Sequence, residues 1–144
     1  MSTVVKCLLL LSFPFFPAAG CQEIETVTSH RVGPEDNNQQ VRLSCGEELE
    51  LLLPATPGTG CHWKIVHCDH SVLRPQGEPQ FESADPNGPP GTGGIETFAF
   101  ATLAAGKTQL KLHYVRESST RGPFDEFNLS VVVSETESHS LTSE

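Results

Sequence analysis

Basic residues are scarce in this chain: 9 lysines and arginines stand against 18 aspartates and glutamates, a formal net charge of −9. That balance argues against nucleic-acid binding, because phosphate contacts need a concentrated basic patch and none is present. Methionine, tryptophan and tyrosine occur once each, while 12 Gly and 11 Pro punctuate the chain. Turns at that density speak against a helix bundle and for an all-β fold. No apolar run reaches the ~20 residues that a bilayer core requires. No Ser or Cys sits on a nucleophile elbow and no paired-carboxylate pattern stands out, so an enzyme is not expected. The 144 residues leave room for one domain of about 110 residues beside a leader and a tail. A chain of that size buries about two-thirds of its unfolded surface, so its stability requires no cofactor or metal.

The first 21 residues read as a secretory signal: one positive charge at Lys6, an apolar run from Cys7 to Phe16 interrupted by Pro14, then the small residues Ala18-Ala19-Gly20 before Cys21. The last four also resemble a lipobox, in which the Cys is lipidated, with Ala18 where Leu is usual. Export is expected, to the periplasm, the medium or a lipid anchor at Cys21, and lipidation is the only membrane attachment the sequence offers. Once Cys7 leaves with the leader and Cys21 is set aside, Cys45, Cys61 and Cys68 remain. If residues 48–53 and 61–66 are neighbouring strands, counting outward from their connecting loop brings Cys45 and Cys68 level. A disulfide between those two is the expectation.

Residues 22–40 are polar, with Val27 and Val32 as edge-strand positions and a turn over Gly33–Asn38. Beyond them Leu49, Leu51 and Leu53 alternate with Glu50 and Leu52 until Pro54 stops the strand. The loop Thr56-Pro57-Gly58-Thr59-Gly60 precedes Cys61–His67, with Trp63 and Ile65 on one side. A Pro- and Gly-rich stretch from Asp69 to Gly94 holds only a short strand around Phe81. Residues 95–101 and 108–115 then read as an antiparallel pair across a turn at Ala104–Lys107. A last strand, Phe124 to Val133, buries Phe127, Leu129, Val131 and Val133. Together these predict an immunoglobulin-like β-sandwich of about seven or eight strands, with 134–144 a disordered acidic tail.

Three motifs fail on context. Ala101–Thr108 satisfies a relaxed phosphate-loop pattern, yet Gln109 to Val115 alternates as a strand, where anion binding needs a helix N-terminus. Cys61, His62, His67, Cys68 and His70 fall within ten residues, but on an extended strand they diverge, and a metal site would need a sharp bend after His67. Asn128-Leu129-Ser130 is a glycosylation sequon inside a predicted strand, which fits chance.

The loops carry more. Gly46-Glu47, Leu49 to Leu53, Pro54 and Thr56–Gly60 with Trp63 beyond resemble the first inhibitory loop of the chagasin family, Asn-Pro-Thr-Thr-Gly followed by an aromatic strand; Pro57, Thr59, Gly60 and Trp63 match. Gly91-Thr92-Gly93-Gly94 with Glu96 and Phe98 resembles the second, Gly-x-Gly-Gly. Ala104 through Leu112, Tyr114 and Arg116 resembles the strand pair leading to the third. The sequence departs at Thr56, where the family has Asn, at Gly58, where it has Thr, and after Arg116, where Glu117-Ser118 replaces Pro and an aromatic. Phe124 could supply that ring or belong to the core strand.

The resemblance spans residues 41–133. It implies a monomeric inhibitor of papain-like cysteine proteases that lays three loops across the active-site cleft, with no cofactor and no metal. The residues it implicates are Thr56, Pro57, Gly58, Thr59, Gly60, Gly91, Thr92, Gly93, Gly94, Arg116 and Phe124. The same scaffold without inhibition would be a surface immunoglobulin-like binding module.

Overall fold

A computed structural model describes residues 26–136, so the leader, the lipobox-like segment and most of the tail lie outside the described residues. Nine strands form two sheets, with no α-helix among the described residues. In chain order they are β1 (Ser29–Val32), β2 (Gln39–Ser44), β3 (Glu48–Ala55), β4 (Cys61–His67), β5 (Leu73–Pro75), β6 (Gln80–Ser83), β7 (Gly94–Thr102), β8 (Gly106–Arg116) and β9 (Asp125–Ser134). One sheet runs β1-β3-β7-β5, with β6 also on β7; the other runs β2-β9-β8-β4.

Alternation decides what lies between them. Leu49, Leu51, Leu53, Phe98 and Phe100 from the first sheet meet Leu43, Leu110, Leu112, Phe127, Leu129 and Val131 from the second, all buried. The expected all-β sandwich is therefore present, with more strands than expected because β2 and β5 are added. β2 carries only Val41 and Leu43 as buried positions and is held by parallel pairing with β9. Ser134, assigned to the tail, closes β9 opposite Ser44, and the Thr136 hydroxyl donates to the Cys45 carbonyl at 2.6 Å.

Two pairings differ from expectation. The strands on either side of the Ala104–Lys107 turn are not partners: β7 pairs with β3, β5 and β6, whereas β8 pairs with β4 and β9. β3 and β4 likewise fall in different sheets, so counting outward from their loop does not bring Cys45 level with Cys68. Cys45, Cys61 and Cys68 are all free thiols. Cys68 packs beside the core and donates to the Leu73 carbonyl at 3.1 Å, and burial, reinforced by Asp69, pushes its thiol up to about 11. Among the described residues no three His, Cys, Asp or Glu side chains converge as a metal site; His67 and His70 are exposed.

Strand direction brings three connections to one end. Ala55 pairs with Gly94, Cys61 with Arg116 and Tyr114 with Asp125, so the β3–β4, β6–β7 and β8–β9 loops leave the sandwich side by side.

Candidate functional site

The β3–β4 loop is one turn of 3-10 helix over Pro57–Thr59. Pro57 opens it with a fixed φ and no N–H to satisfy. The carbonyl of Thr56 accepts both the Thr59 N–H at 3.0 Å and the Thr59 hydroxyl at 2.7 Å, and the Gly60 N–H closes on the Pro57 carbonyl at 2.9 Å. Gly60 then turns the chain into β4 at φ 77°, a left-handed conformation that costs a side-chain-bearing residue roughly 1 kcal/mol or more. With its hydroxyl bracing the turn, exposed Thr59 is presented at the tip in one conformation.

Two aromatic residues of the second sheet fasten this loop. The Trp63 indole N–H donates to the Pro54 carbonyl at 2.9 Å, and its ring lies 5.0 Å from that of Tyr114 at an angle of 39°. The Tyr114 hydroxyl accepts the Thr56 N–H at 2.9 Å and sits 2.9 Å from the Thr56 hydroxyl. Thr56, where the resemblance expects Asn, thus supplies both a backbone and a side-chain group to one anchor. Tyr114 enters the sequence reading only within the strand pair that resembles the lead-in to the third loop, and nothing there discloses that it anchors the first. The only signal is that it is the chain's sole tyrosine, at the loop end of an inward-facing row.

The second loop touches the first. A Cβ added to Gly58 would lie 3.0 Å from both Cα and N of Gly91, and one added to Gly93 would lie 3.1 Å from the Thr56 methyl. At Gly58, where the family has Thr, the missing side chain is therefore what lets the two backbones meet. Thr92 folds back on the Pro89 carbonyl through its hydroxyl at 2.7 Å and its N–H at 3.1 Å. Glu96, just inside β7, is half-buried near Trp63 and His62, and its carboxyl is pushed up by that burial.

The third loop is joined at both ends. Glu117 N–H reaches the Gly60 carbonyl at 3.4 Å, and Phe124 N–H donates to the Tyr114 carbonyl at 2.8 Å. Phe124 lies outside the core: it is 56% exposed, with the Arg116 guanidinium 5.5 Å from its ring centre. Arg116 stands opposite Cys61, a thiol just 5% exposed. The Thr59 side chain beside it holds that thiol below its ordinary range, with Arg116 adding to the effect against the opposing pull of burial. All eleven residues singled out in the sequence consequently lie at this one end, in three loops that contact one another or, for Gly94 and Arg116, at the strand ends that those loops join.

The three loops thus form one continuous surface at this end of the sandwich, held together by contacts between them. The chain belongs to the chagasin family of cysteine protease inhibitors: residues 42–131 match the model of the Chagasin family peptidase inhibitor I42. It is similar in structure to the cysteine protease inhibitor EhICP2 from Entamoeba histolytica, with TM-score 0.64 and 20% identity over 74% of this chain and 96% of that one. It is similar also to the solution structure of amebosin, with TM-score 0.60 and 23% identity over 74% and 98% of the two chains. No curated protein matches it. At these identities the structural likeness establishes the fold.

Proposed function

We propose that this inhibitor is exported and blocks the active-site cleft of a papain-like cysteine protease with its three loops. The observation that carries the reading is the mutual fastening of the loops: Gly58 against Gly91, Thr56 on Tyr114 and Phe124 N–H on the Tyr114 carbonyl. Docking a surface that is already ordered costs little conformational entropy, so contact energy is retained as affinity. Thr59 and Gly60 meet the catalytic Cys–His pair. The hydroxyl there offers hydrogen bonds, and the 3-10 turn keeps the Thr59–Gly60 peptide out of an extended, cleavable pose. Gly91 to Gly94 runs along one wall of the cleft, and Arg116 with Phe124 covers the other.

In that arrangement Phe124 replaces the aromatic ring that the third loop lacks after Arg116. The guanidinium beside it fixes its position, which a solitary exposed ring would lack. Export follows from the leader, with Lys6, the apolar run from Cys7 and the small residues before Cys21.

Titration of residues 22–144 against papain and a cathepsin-L-like enzyme tests the reading. Inhibition at or below about 1 μM, some 8 kcal/mol of binding, is the expected result. Full protease activity at tens of micromolar inhibitor contradicts it for those targets.

A further inference from the structure

Beside the loops the two sheets do not close completely. A cleft of about 330 Å³ opens between Pro54 and Thr56 on one side and Tyr114 and Asp125 on the other, with Trp63 and Gly94 also lining it. It adjoins a smaller cavity of about 100 Å³ that shares Pro54, Trp63 and Asp125 and reaches Pro34. At about 30 Å³ per water, the larger space holds roughly ten waters, room for one long side chain and too little for a strand or helix.

Strand geometry determines its chemistry. Phe127, Leu129, Val131 and Val133 of β9 face the core. Asp125, two residues before Phe127, therefore faces the same side at the mouth of the cleft, opposite Tyr114. Its carboxylate accepts the N–H of Glu126 at 2.8 Å. The ion pairs among the described residues are Arg31–Glu50 and Lys111–Glu126, with the His113 ring also 3.6 Å from the Glu126 carboxylate, so Asp125 has no cation partner there. An exposed carboxylate at the rim, above a wall of Pro54 and two aromatic rings, complements a charged head on an apolar stem. The methylenes of such a side chain lie along Pro54 and the rings while the head reaches the carboxylate.

We propose that this cleft takes a lysine or arginine side chain from the rim of the target protease's active-site cleft, which makes Asp125 a specificity-determining residue. The proposal rests on the inhibitor reading above, because docking of the loops is what brings the target's rim over the space. It also exploits the chain's formal net charge of −9, which favours a cationic partner surface. Asp125 stands outside the three motifs of the resemblance, and apart from the Glu126 N–H no hydrogen bond or ion pair found among the described residues occupies its carboxylate.

The test is the inhibition constant of the wild type, Asp125→Asn and Asp125→Glu against papain, at about 0.02 M and about 0.5 M salt, where the Debye length falls from about 20 Å to about 4 Å. Wild-type inhibition that weakens about tenfold in Asp125→Asn at low salt, converges at high salt and recovers in Asp125→Glu is the expected pattern. Papain variants with single rim lysines or arginines changed to Ala complete a double-mutant cycle, in which one of them should lose its effect in the Asp125→Asn background. Equal inhibition by all three inhibitors at both salts overturns the proposal and leaves the inhibitor reading standing. No inhibition by any of them overturns both. Wild-type dimerisation that disappears in Asp125→Asn would assign the cleft to a second copy of the chain, which also overturns the proposal.

Discussion

The hydroxyl of Tyr114 lies 2.9 Å from both the backbone nitrogen and the side-chain oxygen of Thr56, across the gap between the two sheets. Through its carbonyl the same residue receives the N–H of Phe124. One side chain of β8 thus holds the first loop while its backbone holds the third. Removing the hydroxyl in Tyr114→Phe keeps the packing on Trp63 but leaves a backbone donor short of its partner, at about 1–3 kcal/mol. Denaturant unfolding should show a loss near the low end of that range, since the adjoining cleft admits water, and inhibition should weaken by about tenfold. Unchanged inhibition in the variant would show that the first loop keeps its shape without this anchor.

Gly58→Ala tests the contact between the first two loops. The new Cβ would lie 3.0 Å from Gly91 Cα and N, backbone atoms that cannot rotate away, so the loops must separate by a few tenths of an ångström. Both loops are at the surface, and stability should stay within about 0.5 kcal/mol of the parent. Affinity for the protease should nevertheless fall, because the gap misaligns two contact surfaces at once. Melting temperature and inhibition constant measured on the same preparation separate the two effects.

Phenylalanines three residues apart should behave in opposite ways. Phe127 is 1% exposed, and Phe127→Ala should cost about 3–5 kcal/mol of stability. Phe124 is 56% exposed and touches the Arg116 guanidinium, so Phe124→Ala should cost about 1 kcal/mol or less. Its loss should instead weaken protease binding by about thirtyfold, the scale of an aromatic anchor worth about 2 kcal/mol.

Alkaline pH supplies a further check through Cys68. Its thiol ionises near 11 in the folded chain against an ordinary 9.0, because burial and Asp69 oppose the thiolate. The folded state therefore keeps its proton longer than the unfolded state, and the contribution is present below pH 9 and lost as pH rises from 9 towards 11. Stability to denaturant should fall across that interval, and Cys68→Ala should flatten the fall. Cys61 is shifted the other way by Thr59 and Arg116, so iodoacetamide should reach its rate plateau at Cys61 at lower pH than at Cys68.

Much of the fold was legible because alternation reports which face of a strand is buried. Leu49, Leu51 and Leu53, or Phe127 through Val133, needed no other information. Alternation does not report which strand lies alongside, and there the sequence misled. The Ala104–Lys107 turn resembles a hairpin turn, yet it carries the chain from one sheet to the other, and the supposed neighbours of Cys45 and Cys68 were separated for the same reason. The loops were visible as runs of Gly, Pro and Thr. Their coupling was not, because it depends on Tyr114, hidden in a hydrophobic row, and on Gly58 and Gly91, which are 33 positions apart in sequence.

Steady-state kinetics of papain with a small peptide substrate, at several inhibitor concentrations, test the central claim most directly. Occupation of the active-site cleft by the Thr59–Gly60 tip predicts a rising KM at constant kcat. It also predicts that Thr59→Phe abolishes the effect at an unchanged melting temperature. A falling kcat at constant KM, or full potency in Thr59→Phe, would contradict it.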